Sequence, residues 1–189
     1  MTTSSIQKTA LHKNHIKRNA KLISFGGFEL PVWFSSIKEE HLAVRNSAGM
    51  FDISHMGVFR ISGENSRQDL QKIYCNDVAK TQNGKMVYGM VLNQDGGILD
   101  DVMLGELRGQ YILVVNASNK DKILKWMTTH FSSSTVIEDL NSGRSFIAIQ
   151  GPDSLKKIKN SLGIEFENHP RFTVWDEKVN GKACLVMRT

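Results

Sequence analysis

The apolar positions of this 189-residue chain change period several times, and each change marks a new element. Residues 36–47 carry a helical pattern that Ser36 and Glu39 open as a capping box and Gly49 stops. Strict alternation over 57–62 predicts a strand, and 65–75 then reads as a short helix with Leu70, Ile73 and Tyr74 on one face. Residues 85–92 and 98–107 alternate as strands joined through Asp95-Gly96, a hairpin signal. Arg108-Gly109 turns the chain into a further strand over 110–115. Ser118 is expected to cap a helix reaching about His130, because Ile123, Trp126, Met127 and His130 share one helical face. Strands follow over 135–140 and 145–149, Gly151-Pro152-Asp153 leads into a helix ending near Leu162, and 183–187 is an apolar strand. The pattern describes an α+β chain, with largely antiparallel sheets and helices around a β-α-β-β-β-α-β centre.

That pattern gives meaning to one acidic pair. The run Gly96-Gly97-Ile98-Leu99-Asp100-Asp101 ends in two adjacent carboxylates on a predicted strand. Neighbouring strand residues point to opposite faces, so only one of Asp100 and Asp101 faces the core. A carboxylate placed there costs free energy unless it is paired or used. One of the two is therefore a candidate site residue, and alternation leaves open which. The plain alternative is a polar strand end beside a hairpin.

Composition narrows the class of protein. Hydrophobic residues make up 40% of the chain, with only three prolines and no low-complexity tract, which describes a globular protein rather than a disordered one. No apolar run approaches the ~20 residues of a membrane span, so no membrane partner is expected. The basic stretch before Phe28 (Lys8, Lys13, Lys17, Arg18, Lys21) lacks the apolar core of a signal peptide, and a cytosolic location is expected. A net charge of +5 and a pI near 9.2 favour anionic partners. The basic residues show no interleaved aromatics and no nucleic-acid motif, so nucleic acid is not the expected partner. Cys75 and Cys184 are too few for a disulfide framework and read as small core residues. His55 has no ligand at metal spacing; no metal is expected, and the ring is expected to fix the Ser54–Met56 turn by a hydrogen bond. Gly96-Gly97 leads into a strand, unlike a phosphate loop, and Lys120, Lys122 and Lys125 read as a solvated face.

The segment Phe51-Asp52-Ile53-Ser54-His55-Met56, taken with the Gly-Gly-Ile-Leu-Asp-Asp run, resembles the aminomethyltransferase family, the T-protein of the glycine cleavage system. Phe28-Glu29-Leu30-Pro31-Val32, Glu40-His41-Leu42-Ala43-Val44-Arg45-Asn46, Asn76-Asp77-Val78, Val114-Val115-Asn116-Ala117 and Gln150-Gly151-Pro152 extend the resemblance in the same order. It implies a three-lobed cloverleaf with folate at its centre, residues 57–141 forming the second lobe and 1–56 with 142–189 an incomplete first lobe. Family members continue past Thr189, so the chain is expected to be an N-terminal half. The implied reaction carries an aminomethyl group from the lipoyl arm of H-protein to tetrahydrofolate, releasing ammonia and forming 5,10-methylenetetrahydrofolate. By the same resemblance Asp101 is the catalytic carboxylate and Asp100 its outward, solvated neighbour, while Met56, Tyr88 and Asn116 line the folate pocket. One departure stands out: the family often places a folate-facing tyrosine where this chain has Gly105. The alternatives are a folate-dependent demethylase and a non-catalytic folate-binding member of the superfamily.

Overall fold

The computed structural model describes residues 6–189. In chain order its elements are β1 (Gln7–Lys8), α1 (His12–Lys17), β2 (Lys21–Phe25), β3 (Phe28–Trp33), α2 (Ile37–Asn46), β4 (Gly49–Asp52), β5 (Gly57–Gly63), α3 (Ser66–Ile73), β6 (Met86–Leu92), β7 (Ile98–Leu107), β8 (Gln110–Val115), α4 (Lys120–His130), β9 (Thr135–Asp139), β10 (Ile147–Gln150), α5 (Ser154–Leu162), β11 (Thr173–Val179) and β12 (Lys182–Arg188). Among the described residues every strand pairing is antiparallel except that of β1 with β3. The expected α+β class with largely antiparallel sheets holds, and β5 to β9 follow the expected β-α-β-β-β-α-β order.

The chain packs as two compact units, one of residues up to His55 with Asn141–Gly163, the other of Met56–Leu140 with Ile164–Thr189. In the first, β1, β3 and β2 form a small sheet and β4 pairs with β10. Helix α2 starts as its sequence requires, with Ser36 Oγ accepting the Glu39 N–H at 3.2 Å. Asp52 at the end of β4 gathers donors: Thr9 Oγ1 at 2.6 Å, His15 Nε2 at 2.8 Å, and Ser54 through both N–H (3.0 Å) and Oγ (2.6 Å). This network fixes the turn that His55 was expected to fix. The His55 ring instead meets the rings of Phe25 and Phe28, its buried Nδ1 has no hydrogen-bond partner, and desolvation pushes its pKa down.

The second unit is built on the sheet β6-β7-β8-β5-β9. Its inner face presents Phe59, Ile61, Leu104, Leu113 and Val115 to Leu70 and Ile73 of α3 and to Ile123 and Met127 of α4, all buried. Removing each such side chain from water contributes about 1.5–3 kcal/mol. Helix α4 begins one residue later than Ser118 would place it, with Asn119 at the cap position and a 3₁₀ turn over Ala117–Asn119 before it. Lys120 is not part of a solvated face: it packs over Gly57 and pairs with Asp139 at 2.7 Å. Cys75 is exposed rather than core, its Sγ accepting the Met90 N–H at the edge of β6.

The hairpin β11–β12 covers part of the outer sheet face. Met86 N–H donates to Phe172 O and Val174 N–H to Gly84 O, both at 2.7 Å, and Val174 seats its side chain over Gly105. Residues 164–189 therefore pack with the second unit, whereas the expected lobe boundaries group them with the first.

Candidate active site

The part of the outer face that the hairpin leaves open is organised by strand register. Met90 lies opposite Asp101, and Tyr88 lies opposite Met103. Met103 in turn faces Val114, and Val114 faces Val58. Asn116, one residue past β8, and Met56, one residue before β5, continue the row of Met90 and Asp101. Sequence expectation named Met56, Tyr88, Asp101 and Asn116, and the fold brings all four onto one sheet face in two adjacent rows. Met90, Met103 and Val114 complete the face and were missed. Their signal lay in the same alternation, two residues on from Tyr88 and Asp101 and two before Asn116.

The polar groups of this face are tied together. Tyr88, with 52% of its surface exposed, donates its O–H to Asp101 Oδ2 at 3.0 Å. Asn116 Nδ2 donates to Asp101 Oδ1 at 2.9 Å and to the Asp101 carbonyl at 3.0 Å. The hydrogen bond to Asp101, reinforced by slight desolvation and by the charges of Asp101 and Asp100, pushes the Tyr88 phenol up, so Tyr88 stays a donor at neutral pH. Asp101 is thus an exposed carboxylate with a neutral donor on each oxygen, flanked by an open aromatic ring and thioethers. Such a group can take up a proton or stabilise a positive charge that develops beside it.

The acidic pair is oriented opposite to expectation. Asp100, expected outward and solvated, is buried at 3% exposure. It survives there because donors from the end of β8 and the start of α4 satisfy it: Asn116 N–H at 2.9 Å, Asn116 Nδ2 at 3.0 Å and Asn119 Nδ2 at 2.5 Å. Gly105 lies on the same outer face as Asp101 and Met103, but the space above it is occupied. A Cβ there would meet Val174 Cγ1 at 2.9 Å and Met86 Cγ at 3.0 Å. Among the described residues no three His, Cys, Asp or Glu side chains gather as a metal site, and no helix is long and apolar enough to cross a membrane.

The chain is similar to known proteins along nearly all of its length. The model of the GCVT N-terminal domain family matches residues 11–189. An aminomethyltransferase of Staphylococcus epidermidis is 40% identical over 190 residues, covering 99% of this chain and 52% of its own length. One of Bacillus subtilis is 39% identical over 188 residues, covering 97% and 51%. The crystal structure of glycine cleavage system aminomethyltransferase T from Bartonella henselae superposes with a TM-score of 0.84 at 28% identity, over 90% of this chain and 47% of that one. The heterotetrameric sarcosine oxidase of Corynebacterium, at 10% identity and a TM-score of 0.52, shares the fold alone. The chain spans about half the length of the curated relatives it matches. With a family model matched across nearly all of its residues, this chain belongs to the GCVT N-terminal domain family.

Proposed function

We propose that the chain is part of a tetrahydrofolate-dependent aminomethyltransferase of the glycine cleavage system, acting in the cytosol, and that the open face around Asp101 is its folate wall. The observation that carries this reading is the coincidence of an exposed, doubly hydrogen-bonded carboxylate with a half-exposed tyrosine and three methionines on one sheet face. Folding alone does not ask for that set, since a solvated strand face is stable with any polar residues. The names of the relatives and their similarity over nearly the whole chain support the same reading.

The residues suit a reduced pterin. Tyr88 and the thioethers of Met56, Met90 and Met103 offer a flat, polarizable surface, and the Asn116 side-chain oxygen accepts no hydrogen bond from any described residue. Bound tetrahydrofolate would supply the amines that accept the one-carbon unit. Asp101 would stand beside those amines, held in one orientation by Tyr88 and Asn116, and would manage a proton or the cationic charge that builds as ammonia leaves. Either role is worth about 10²–10⁴ in rate. The donor would be the aminomethylated lipoyl arm of H-protein, and the net charge of +5 suits a polyanionic folate. Residues 1–56 with 142–189 and residues 57–141 are proposed as the first and second lobes of the whole enzyme.

Calorimetry with tetrahydrofolate, on this chain and on a version joined to the reading frame that follows it, tests the proposal together with Asp101→Asn. The expected result is folate binding by the joined protein, retained within a few-fold in Asp101→Asn, with turnover reduced about 10²-fold or more. A folded joined protein that binds no tetrahydrofolate, or an Asp101→Asn variant with parental turnover, sinks the reading.

A further inference from the structure

Asp100 has no part in the reaction just proposed, yet it is the most fully coordinated group beneath the site. Its Oδ2 accepts the Asn116 backbone N–H at 2.9 Å, and its Oδ1 accepts both Asn116 Nδ2 at 3.0 Å and Asn119 Nδ2 at 2.5 Å. Asn119, at the cap position of α4, makes no side-chain cap and donates its Nδ2 to Asp100 instead.

The consequence falls on Asn116. Its side-chain nitrogen is surrounded by three acceptors: Asp100 Oδ1, the Asp101 carbonyl and Asp101 Oδ1, at 2.9–3.0 Å. A carboxamide can present either its oxygen or its NH2 in a given direction, and three acceptors admit only the NH2. The oxygen is therefore turned away from the acidic pair and has no donor among the described residues. Without Asp100, one carboxylate and one carbonyl of Asp101 would remain to hold the amide, and the backbone N–H of Asn116 would be left without its acceptor.

We infer that Asp100 is a positioning residue. Through Asn116 it sets the donor that holds Asp101, and it turns out a single hydrogen-bond acceptor that selects ligands presenting an N–H edge. The inference rests on the folate reading for the identity of that ligand, a reduced pterin being rich in such N–H groups, but the control of Asn116 by Asp100 stands on geometry alone. Because the two acids are neighbours on one strand, the buried one holds from below the same amide that the exposed one meets from above.

Two variants test it. Asp100→Asn preserves shape but turns one acceptor oxygen into an NH2, which faces either the two side-chain amides or the Asn116 backbone N–H, donor against donor in both orientations. In ¹⁵N-labelled protein, the Asn116 side-chain amide pair, assigned by its loss in Asn116→Asp, is expected to shift and to exchange faster with solvent. The Kd for tetrahydrofolate is expected to rise about tenfold, the scale of one lost hydrogen bond. The double variant Asp100→Asn with Asn116→Asp restores a donor–acceptor match between the two positions but places a carboxylate against Asp101. Its melting temperature should recover, while the acid limb of its turnover in the joined protein moves to higher pH as two carboxylates share one site. A purely structural role for Asp100 predicts instead that Asp100→Asn lowers the melting temperature while its Kd for tetrahydrofolate stays parental, and that result overturns the inference. Unchanged Asn116 amide signals in Asp100→Asn overturn it as well. A joined parent protein that binds no tetrahydrofolate defeats the folate reading separately, since the amide signals still decide the role of Asp100.

Discussion

Replacing Gly89 by alanine drives a methyl group into the ring of Tyr74. A Cβ at position 89 would stand 2.6 Å from Tyr74 Cζ and Oη and 2.7 Å from Cε2. Carbon atoms at rest sit about 3.5–4.0 Å apart, so the ring has to move. It has nowhere easy to go: Tyr74 is 4% exposed, and its O–H donates to Val87 O at 2.7 Å. Overpacking costs about 1–3 kcal/mol and loss of the buried hydrogen bond about 1–3 kcal/mol, while alanine regains roughly 0.5–1 kcal/mol that glycine forfeits in a strand. The balance is a destabilisation of about 1–5 kcal/mol. Urea unfolding followed by tryptophan fluorescence measures it. Burial holds the Tyr74 phenol up to about 12, so a ring pushed into solvent also shows as a titration returning towards about 10. In a Tyr74→Ala background the clash is gone, and Gly89→Ala should then be neutral or stabilising by up to about 1 kcal/mol. An equal cost of Gly89→Ala in both backgrounds would falsify the assignment of this glycine to the Tyr74 ring. The strand matters to the site, because Gly89 lies between Tyr88 and Met90 and its loss should weaken tetrahydrofolate binding along with stability.

Two further variants probe the same unit. Burial at 1% exposure pushes the Asp69 carboxyl up, but hydrogen bonds from Lys72, Thr135 and both groups of Ser132 outweigh it and hold the acid far below the usual carboxylate range. The native pKa lies below the unfolded value of about 3.9, so this stabilisation is complete above about pH 5 and is lost as pH falls through the native value. Asp69→Asn should therefore cost about 2–4 kcal/mol at pH 7, with the gap to the parent closing below about pH 4; urea midpoints that differ equally from pH 7 to pH 2 contradict this. Gly105→Tyr, which installs the ring that the family resemblance leads one to look for, should lower the melting temperature rather than rebuild a pocket. Its Cβ already meets Val174 and Met86 within 3.0 Å, a cost of about 1–3 kcal/mol for the first atom alone. A stabilised Gly105→Tyr would show that the hairpin yields freely.

Much of this was legible because strands report their own geometry. The alternation around Tyr88 and Asp101 announces two strands and the Asp95-Gly96 turn announces their pairing, but the face the two residues share is set by a register shift between Val91 and Leu92, which puts Tyr88 opposite Met103 and Met90 opposite Asp101. What escaped had its cause far away in the chain. Strand β1 is two residues long and exists because Gln7 and Lys8 pair with Phe28 and Glu29, a contact no local period announces. The space above Gly105 is filled by Val174, which arrives from a hairpin at the far end of the sequence. The His55 turn is held by Asp52 and Ser54, leaving the histidine to pack between phenylalanines.

The acidic pair shows how a sound physical rule can be applied to the wrong neighbour. A carboxylate facing a core must be either paired or used, and the resemblance, which marks Asp101 as the used acid, led to Asp100 being placed outside. The fold divides the two conditions between adjacent residues. Asp100 is the paired one, satisfied by Asn116 and Asn119, which lie a strand away and leave no trace in the local pattern. Asp101 is then released from any duty in the core and stands exposed with Tyr88 and Asn116 as its partners. Period-two alternation permits this division, and it has a chemical advantage. An acid that must exchange protons with a ligand needs access, while the acid that fixes its surroundings needs burial, and one strand position separates the two.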